Sequence, residues 1–326
     1  VPLAGYSLTA RVEDTGDLSR AAQGRYGNAP LFLPETRQRL RLKDYDATDA
    51  VDSLWLTFVQ RDGRWYIGGD SDLSLLGLDT ARGVWDFGPV TVQSTPHLLL
   101  LSHPAEAPRA KALGDIAEAA VAALAGRWTL PWPGKIPLIL PGTNAELGAV
   151  LQATVDLDKF VAFVSYGSVR DSGYEPTAPR IYIQDKNLAK YGRAFQVETL
   201  THELTHAAVA PISGPFIPAW VHEGLADWVA TGRSTTEHRP SGSAPTLPRD
   251  FDFVTGDQAS IVRAYGEARS AMSSLAAAKG VDAPSAFMRE LGSVRTAPGT
   301  DDYQADAALR RAAGMGVADL ESLWAR

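Results

Sequence analysis

Residues 199–206 read Thr-Leu-Thr-His-Glu-Leu-Thr-His. On a helix, positions four apart are neighbours on one face, so His202 and His206 can present imidazole nitrogens to a single cation. Glu203 lies one step of about 100° around the helix, within reach of a cation-bound water without being a ligand itself. Zinc suits this donor set, because it accepts nitrogen and tolerates a tetrahedral site with one open position. Such a site needs a third protein donor. Seventeen residues after His206, within Pro218-Ala219-Trp220-Val221-His222-Glu223-Gly224-Leu225-Ala226-Asp227-Trp228, Glu223 can supply it. His222 would be the competing nitrogen, but on a helix it turns about 100° away from Glu223. Asp227 falls one turn after Glu223, where its carboxylate can accept the outer N–H of a ligating histidine and so set its tautomer. The segment from Val197 to Val209 is apolar on most sides, and a mostly buried helix does not carry two histidines and a glutamate without a partner for them.

These residues need two helices to position them, and the periodicity predicts both, around 194–210 and 218–230. Before them, Ala110–Gly126 reads as a helix, with Leu113, Ile116, Ala120, Val121 and Leu124 at helical spacing. Ile136–Leu140 reads as a buried strand, and Asn144 as the N-cap of a helix over 145–153. Phe160–Tyr166 and Arg180–Gln184 read as further strands around the loop 167–179. Residues 232–249 are rich in loop formers, and helices recur at about 257–279, 284–291, 303–313 and 317–325.

The first hundred residues are β-rich. Thr36–Lys43, Ser53–Gln60 and Val90–Gln93 are predicted strands, and Asp62-Gly63 between two apolar runs signals a hairpin. Pro104–Pro108 is the natural linker. The reading is therefore an α+β protein. An accessory domain over 1–104, built on a curved antiparallel sheet, precedes a mostly helical domain with a small sheet over 105–326.

The chain of 326 residues carries 38 acidic and 31 basic side chains, a net charge of −7. Nothing in that balance attracts nucleic acid or an anionic lipid surface. Cysteine is absent, which excludes thiol catalysis, disulfide frameworks and Cys-based zinc sites. No apolar run reaches the ~18 residues of a membrane span, and the longest, Leu98–Leu101, is far shorter.

The pair H-E-L-T-H and W-x-x-E-G-x-A-D resembles the gluzincin metallopeptidases, the thermolysin-like group that holds zinc with two histidines and a glutamate. More narrowly, P-x-W-x-x-E-G-L-A resembles the bacterial peptidase MA-like proteins, over about 105–326. The resemblance implies Zn2+ on His202, His206 and Glu223, Glu203 as general base, and peptide or protein as substrate. It also implies a strand before the zinc helix along whose edge the peptide lies, here Arg180–Gln184. A later tyrosine or histidine would steady the oxyanion. Tyr265 is the nearest match and His238 the weaker one, with Tyr166, Tyr174 and Tyr182 as further options. Tyr265 also fits a packed stripe with Ile261, Ala268, Met272 and Leu275. His97 and His103 read as structural. No G-x-M-E-N segment of the aminopeptidase branch is present, so an endopeptidase is expected. The competing readings are a catalytically idle zinc-bearing binding or sensor module on the same scaffold, and a zinc hydrolase of a non-peptide substrate. The segment WLTFVQRDGRWYIGGD resembles the last hairpin of cystatin-like or NTF2-like accessory domains. A chain opening on Val1 suggests a trimmed leader. With the family resemblance, this places the protein outside the cell or in a bacterial cell envelope, touching membrane only through a removed N-terminal anchor.

Overall fold

The computed structural model describes residues 1–14, 18, 20–167, 176–232, 246–295 and 299–325. The elements run β1 (Leu3–Asp14), α1 (Arg20–Tyr26), β2 (Leu31–Phe32), β3 (Pro34–Leu42), β4 (Ala50–Trp55), β5 (Thr57–Arg61), β6 (Arg64–Gly69), β7 (Thr91–Ser94) and β8 (Leu98–Ser102). Then follow α2 (Ala107–Ala125), β9 (Ile136–Leu140), α3 (Asn144–Leu151), β10 (Ala162–Gly167), β11 (Thr177–Ile183), α4 (Asp185–Leu188), α5 (Arg193–Val209), α6 (Ala219–Thr231), α7 (Gln258–Lys279), α8 (Ala283–Gly292), α9 (Asp301–Ala313) and α10 (Val317–Trp324). The fold is α+β, with N-terminal antiparallel sheets and a mostly helical C-terminal part that carries a small sheet.

The N-terminal strands form two three-stranded antiparallel sheets, β1-β3-β4 and β2-β5-β6. The predicted strand over Ser53–Gln60 is in fact two, divided at Leu56 between the two sheets. Asp62 and Gly63 form the hairpin turn between β5 and β6 with φ of 50° and 73°, the mirror-image turn whose twist suits a two-residue connection.

The sheet that organises the molecule has five strands in the order β10-β11-β9-β8-β7. β8 and β9 are parallel and joined across the sheet by α2, and every residue of both strands is buried. A strand covered on both faces reads as an unbroken apolar run, which is what Leu98–Leu101 is. Its alternate residues separate cleanly. Leu98 and Leu100 pack into the helical layer with α2, α5, α6 and α7, while Leu99 and Leu101 pack with Leu40 and Leu42 of β3.

The break expected at residue 104 thus falls between β8 and β9, two adjacent strands of one sheet. Pro104–Pro108 is not an interdomain linker. It is the short turn and first helical residues of a β–α–β crossover, and the N-terminal strands supply the layer that the helices leave open. The helix after β9 also starts one step early, with Thr143 rather than Asn144 as N-cap, its hydroxyl accepting from Glu146 N–H at 3.1 Å.

Candidate metal centre

α5 brings His202 and His206 onto one face because its other faces are committed to the core: Leu200, Leu204, Ala207 and Ala208 are buried. α6 crosses it. Its first N–H, at Ala219, is capped by Asp250 Oδ1 at 2.8 Å, and its end turns into the left-handed region at Gly232. Gly224 permits α6 to press directly on α7, since a Cβ there would lie 2.7 Å from the carbonyl oxygen of Ala268. The close crossing delivers Glu223 to the two histidines.

His202 Nε2 and His206 Nε2 are 2.9 Å apart, and Glu223 Oε2 lies 3.2 Å from the first and 3.3 Å from the second. A tetrahedral cation with bonds of ~2.0–2.1 Å spaces its donors by about 3.3–3.4 Å, so the three atoms have the identity and nearly the spacing that zinc requires. His202 Nδ1 is 2.7 Å from Asp227 Oδ1 and donates to it, which turns Nε2 toward His206 and Glu223. His206 departs from the usual arrangement: its Nδ1 is buried with no acceptor. Its ring is held instead between His202, edge-on at 4.6 Å, and His222, stacked at 4.5 Å.

Charge and burial oppose one another throughout the cluster. Burial disfavours a charged His202, but the hydrogen bonds to Asp227 and Glu223 outweigh it and raise its pKa well above the usual value. Burial would raise Glu223, yet the two histidines hold it well below the ordinary carboxylate range. Burial pushes Glu203 up, with His202 and His206 pulling the other way. His222 is driven down to about 3 by burial and by His206, so it stays neutral. Tyr265 is raised well above its usual value by burial and by Glu223, Asp227 and Glu203.

His202, Glu203, Asp227 and Tyr265 open onto a cleft of about 370 Å³ between α5, α7 and the start of β10. The Tyr265 ring lies 6.0 Å from that of His202, and its hydroxyl hydrogen-bonds Glu223. Tyr191 and Phe195 stack at 4.2 Å on the rim.

All six residues singled out for this chemistry, His202, Glu203, His206, Glu223, Asp227 and Tyr265, therefore meet. The other options do not. Tyr182 lies in the core on the far side of the sheet, and Tyr166 donates to the His206 carbonyl at 3.2 Å. His97 pairs with Glu118 and His103 with Glu146. Tyr174 and His238 lie outside the described residues. The strand expectation needs correction. Arg180–Gln184 falls largely in β11, which is flanked by β10 and β9, and it is β10 that forms the sheet edge beside the cleft. Strand order depends on pairing between distant segments, which local pattern does not encode. The stacking role of His222 was also missed; its place beside Glu223 on α6 was the available signal.

No known family model matches the chain, and no curated protein is significantly similar to it.

Proposed function

We propose that the chain is a zinc-dependent peptidase of the gluzincin kind, acting on peptide or protein outside the cell or in the cell envelope. One observation carries the reading: two imidazole nitrogens and a carboxylate converge within 3.3 Å of one another, beside a buried glutamate that faces a cleft. Bound zinc would supply a Lewis acid that lowers the pKa of water toward ~7 and polarises the scissile carbonyl.

The chain's own groups do the rest. Glu203 takes the proton of the attacking water and returns it to the leaving nitrogen; burial, which raises its pKa, suits it to both tasks. Asp227 holds His202 in the tautomer that leaves Nε2 free. The Tyr265 hydroxyl, kept protonated, donates to the developing oxyanion. The edge of β10, which among the described residues pairs only with β11, offers backbone groups to an extended peptide.

The test is Glu203→Gln. It is expected to retain one equivalent of zinc by elemental analysis while losing about 10²–10⁴ in kcat. Wild-type turnover by the zinc-loaded variant would remove Glu203 from the mechanism. A zinc-loaded wild type that cuts nothing in a mixed peptide library would favour the idle binding module.

A further inference from the structure

Resting on that reading, we propose that Arg269 is the residue that selects the substrate: its guanidinium takes a carboxylate of the bound peptide about one helical turn along α7 from Tyr265. α7 presents Ile261, Val262, Tyr265, Gly266 and Arg269 to the cleft at spacings of three and four. Tyr265 marks the position of the reacting groups. Four residues further on, at ~1.5 Å of rise each, Arg269 stands about 6 Å along the wall. That distance is spanned by about two residues of extended peptide at ~3.3 Å each.

Two cations line the cleft, Lys159 and Arg269. Lys159 is engaged, its Nζ donating to the Gly256 carbonyl at 3.0 Å. Arg269 is not. It has no hydrogen bond or ion pair among the described residues, and its Nε is shut from solvent with no acceptor. Other partly buried arginines carry built-in partners: Arg180 grips Asp46 through both terminal nitrogens at 2.6 Å, Arg109 holds Asp185, and Arg127 donates to the Val229 and Ala230 carbonyls. A guanidinium half removed from water without an acceptor is costly. Its planar fork matches a carboxylate through two parallel hydrogen bonds, which would satisfy it. That carboxylate is either the C-terminus of the substrate or an acidic side chain near the scissile bond, and the two sources are separable.

The experiment uses four acetylated peptides of one sequence: free acid or C-terminal amide, each with Glu or Gln at the internal position. For the zinc-loaded wild type, kcat/KM is expected to favour a carboxylate-bearing peptide over its neutral counterpart by about 10- to 100-fold, mostly through KM. In Arg269→Gln the ratio falls to unity, and Arg269→Lys restores part of it. A ratio that follows the terminus assigns C-terminal exopeptidase action; one that follows Glu assigns internal cleavage at acidic residues. Calorimetric dissociation constants of the four peptides for the metal-free full chain provide the same comparison without turnover. Wild-type protein that binds and cleaves all four alike overturns the assignment to Arg269. If none is cut while calorimetry still prefers the carboxylates, the peptidase reading fails and the role of Arg269 stands.

Discussion

Asp227→Ala tests whether the cluster is a metal centre held by its surroundings or three polar side chains that happen to meet. The carboxylate accepts from His202 Nδ1 at 2.7 Å with its side chain 21% exposed. A hydrogen bond of this charged type contributes about 1.5–3 kcal/mol. The cation feels less than the whole amount, because the metal-free protein loses the same bond. What is lost on binding is the fixed tautomer and the added basicity of the ring, an effect of about 10- to 100-fold in affinity, or roughly 1.4–2.7 kcal/mol. The fold is expected to survive, since the apolar face of α6 (Val221, Leu225, Ala226 and Val229) is untouched. Zinc affinity would be measured by competition with a chromophoric chelator, with a thermal melt of the metal-free variant to verify folding. Glu223→Ala, which deletes a donor, should lose more. Tyr265→Phe, which removes the hydroxyl bonded to Glu223 but leaves all three donors and the Asp227–His202 bond in place, should lose less than Glu223→Ala. Unchanged affinity in Asp227→Ala, with Glu223→Ala also unchanged, would refute the reasoning.

Gly224→Ala should push α6 off α7, because the new Cβ would meet the Ala268 carbonyl oxygen at 2.7 Å and the Ala268 Cβ at 3.1 Å. A cost of about 1–3 kcal/mol is expected, seen as a lower Tm together with weaker zinc binding as Glu223 is displaced; an unchanged Tm would contradict the packing described. Burial pushes Tyr182 up to about 12 from 10.0. A raised folded-state pKa confers stability that is whole below the unfolded value and lost as pH climbs through the folded one. Wild-type stability should therefore fall between pH 10 and about 12, by roughly 2–3 kcal/mol from this residue. Tyr182→Phe should flatten that decline in urea titrations across the range, and an identical slope in both proteins would count against the burial. Activity should fall in acid as protons compete with the cation for its ligands, and a rate that holds constant below about pH 5 would speak against imidazole ligation.

The helices of the C-terminal half were legible because an apolar stripe at period 3.6 is a local property, written within one segment. The candidate donors were legible for the same reason: His202 and His206 share a face by spacing alone, and Glu223 and Asp227 share another. The strands were harder. Leu98–Leu101 has no alternation to announce it, since both its faces are covered, and Ser53–Gln60 is one stretch of β-type residues that the fold divides between two sheets.

The amino-acid order by itself determined the helical segments, the two faces that carry imidazole and carboxylate, and the absence of any thiol. Tertiary structure alone decided that strands on either side of residue 104 form one sheet, that β10 and not β11 is its edge, and that His222 stacks on His206. It also decided that Arg269 reaches the cleft without an acceptor. The reason is one of range. Periodicity acts over a few residues and can be read along the chain. Strand order, ring stacking and an unanswered guanidinium depend on which distant segments meet once both faces of the sheet have been covered.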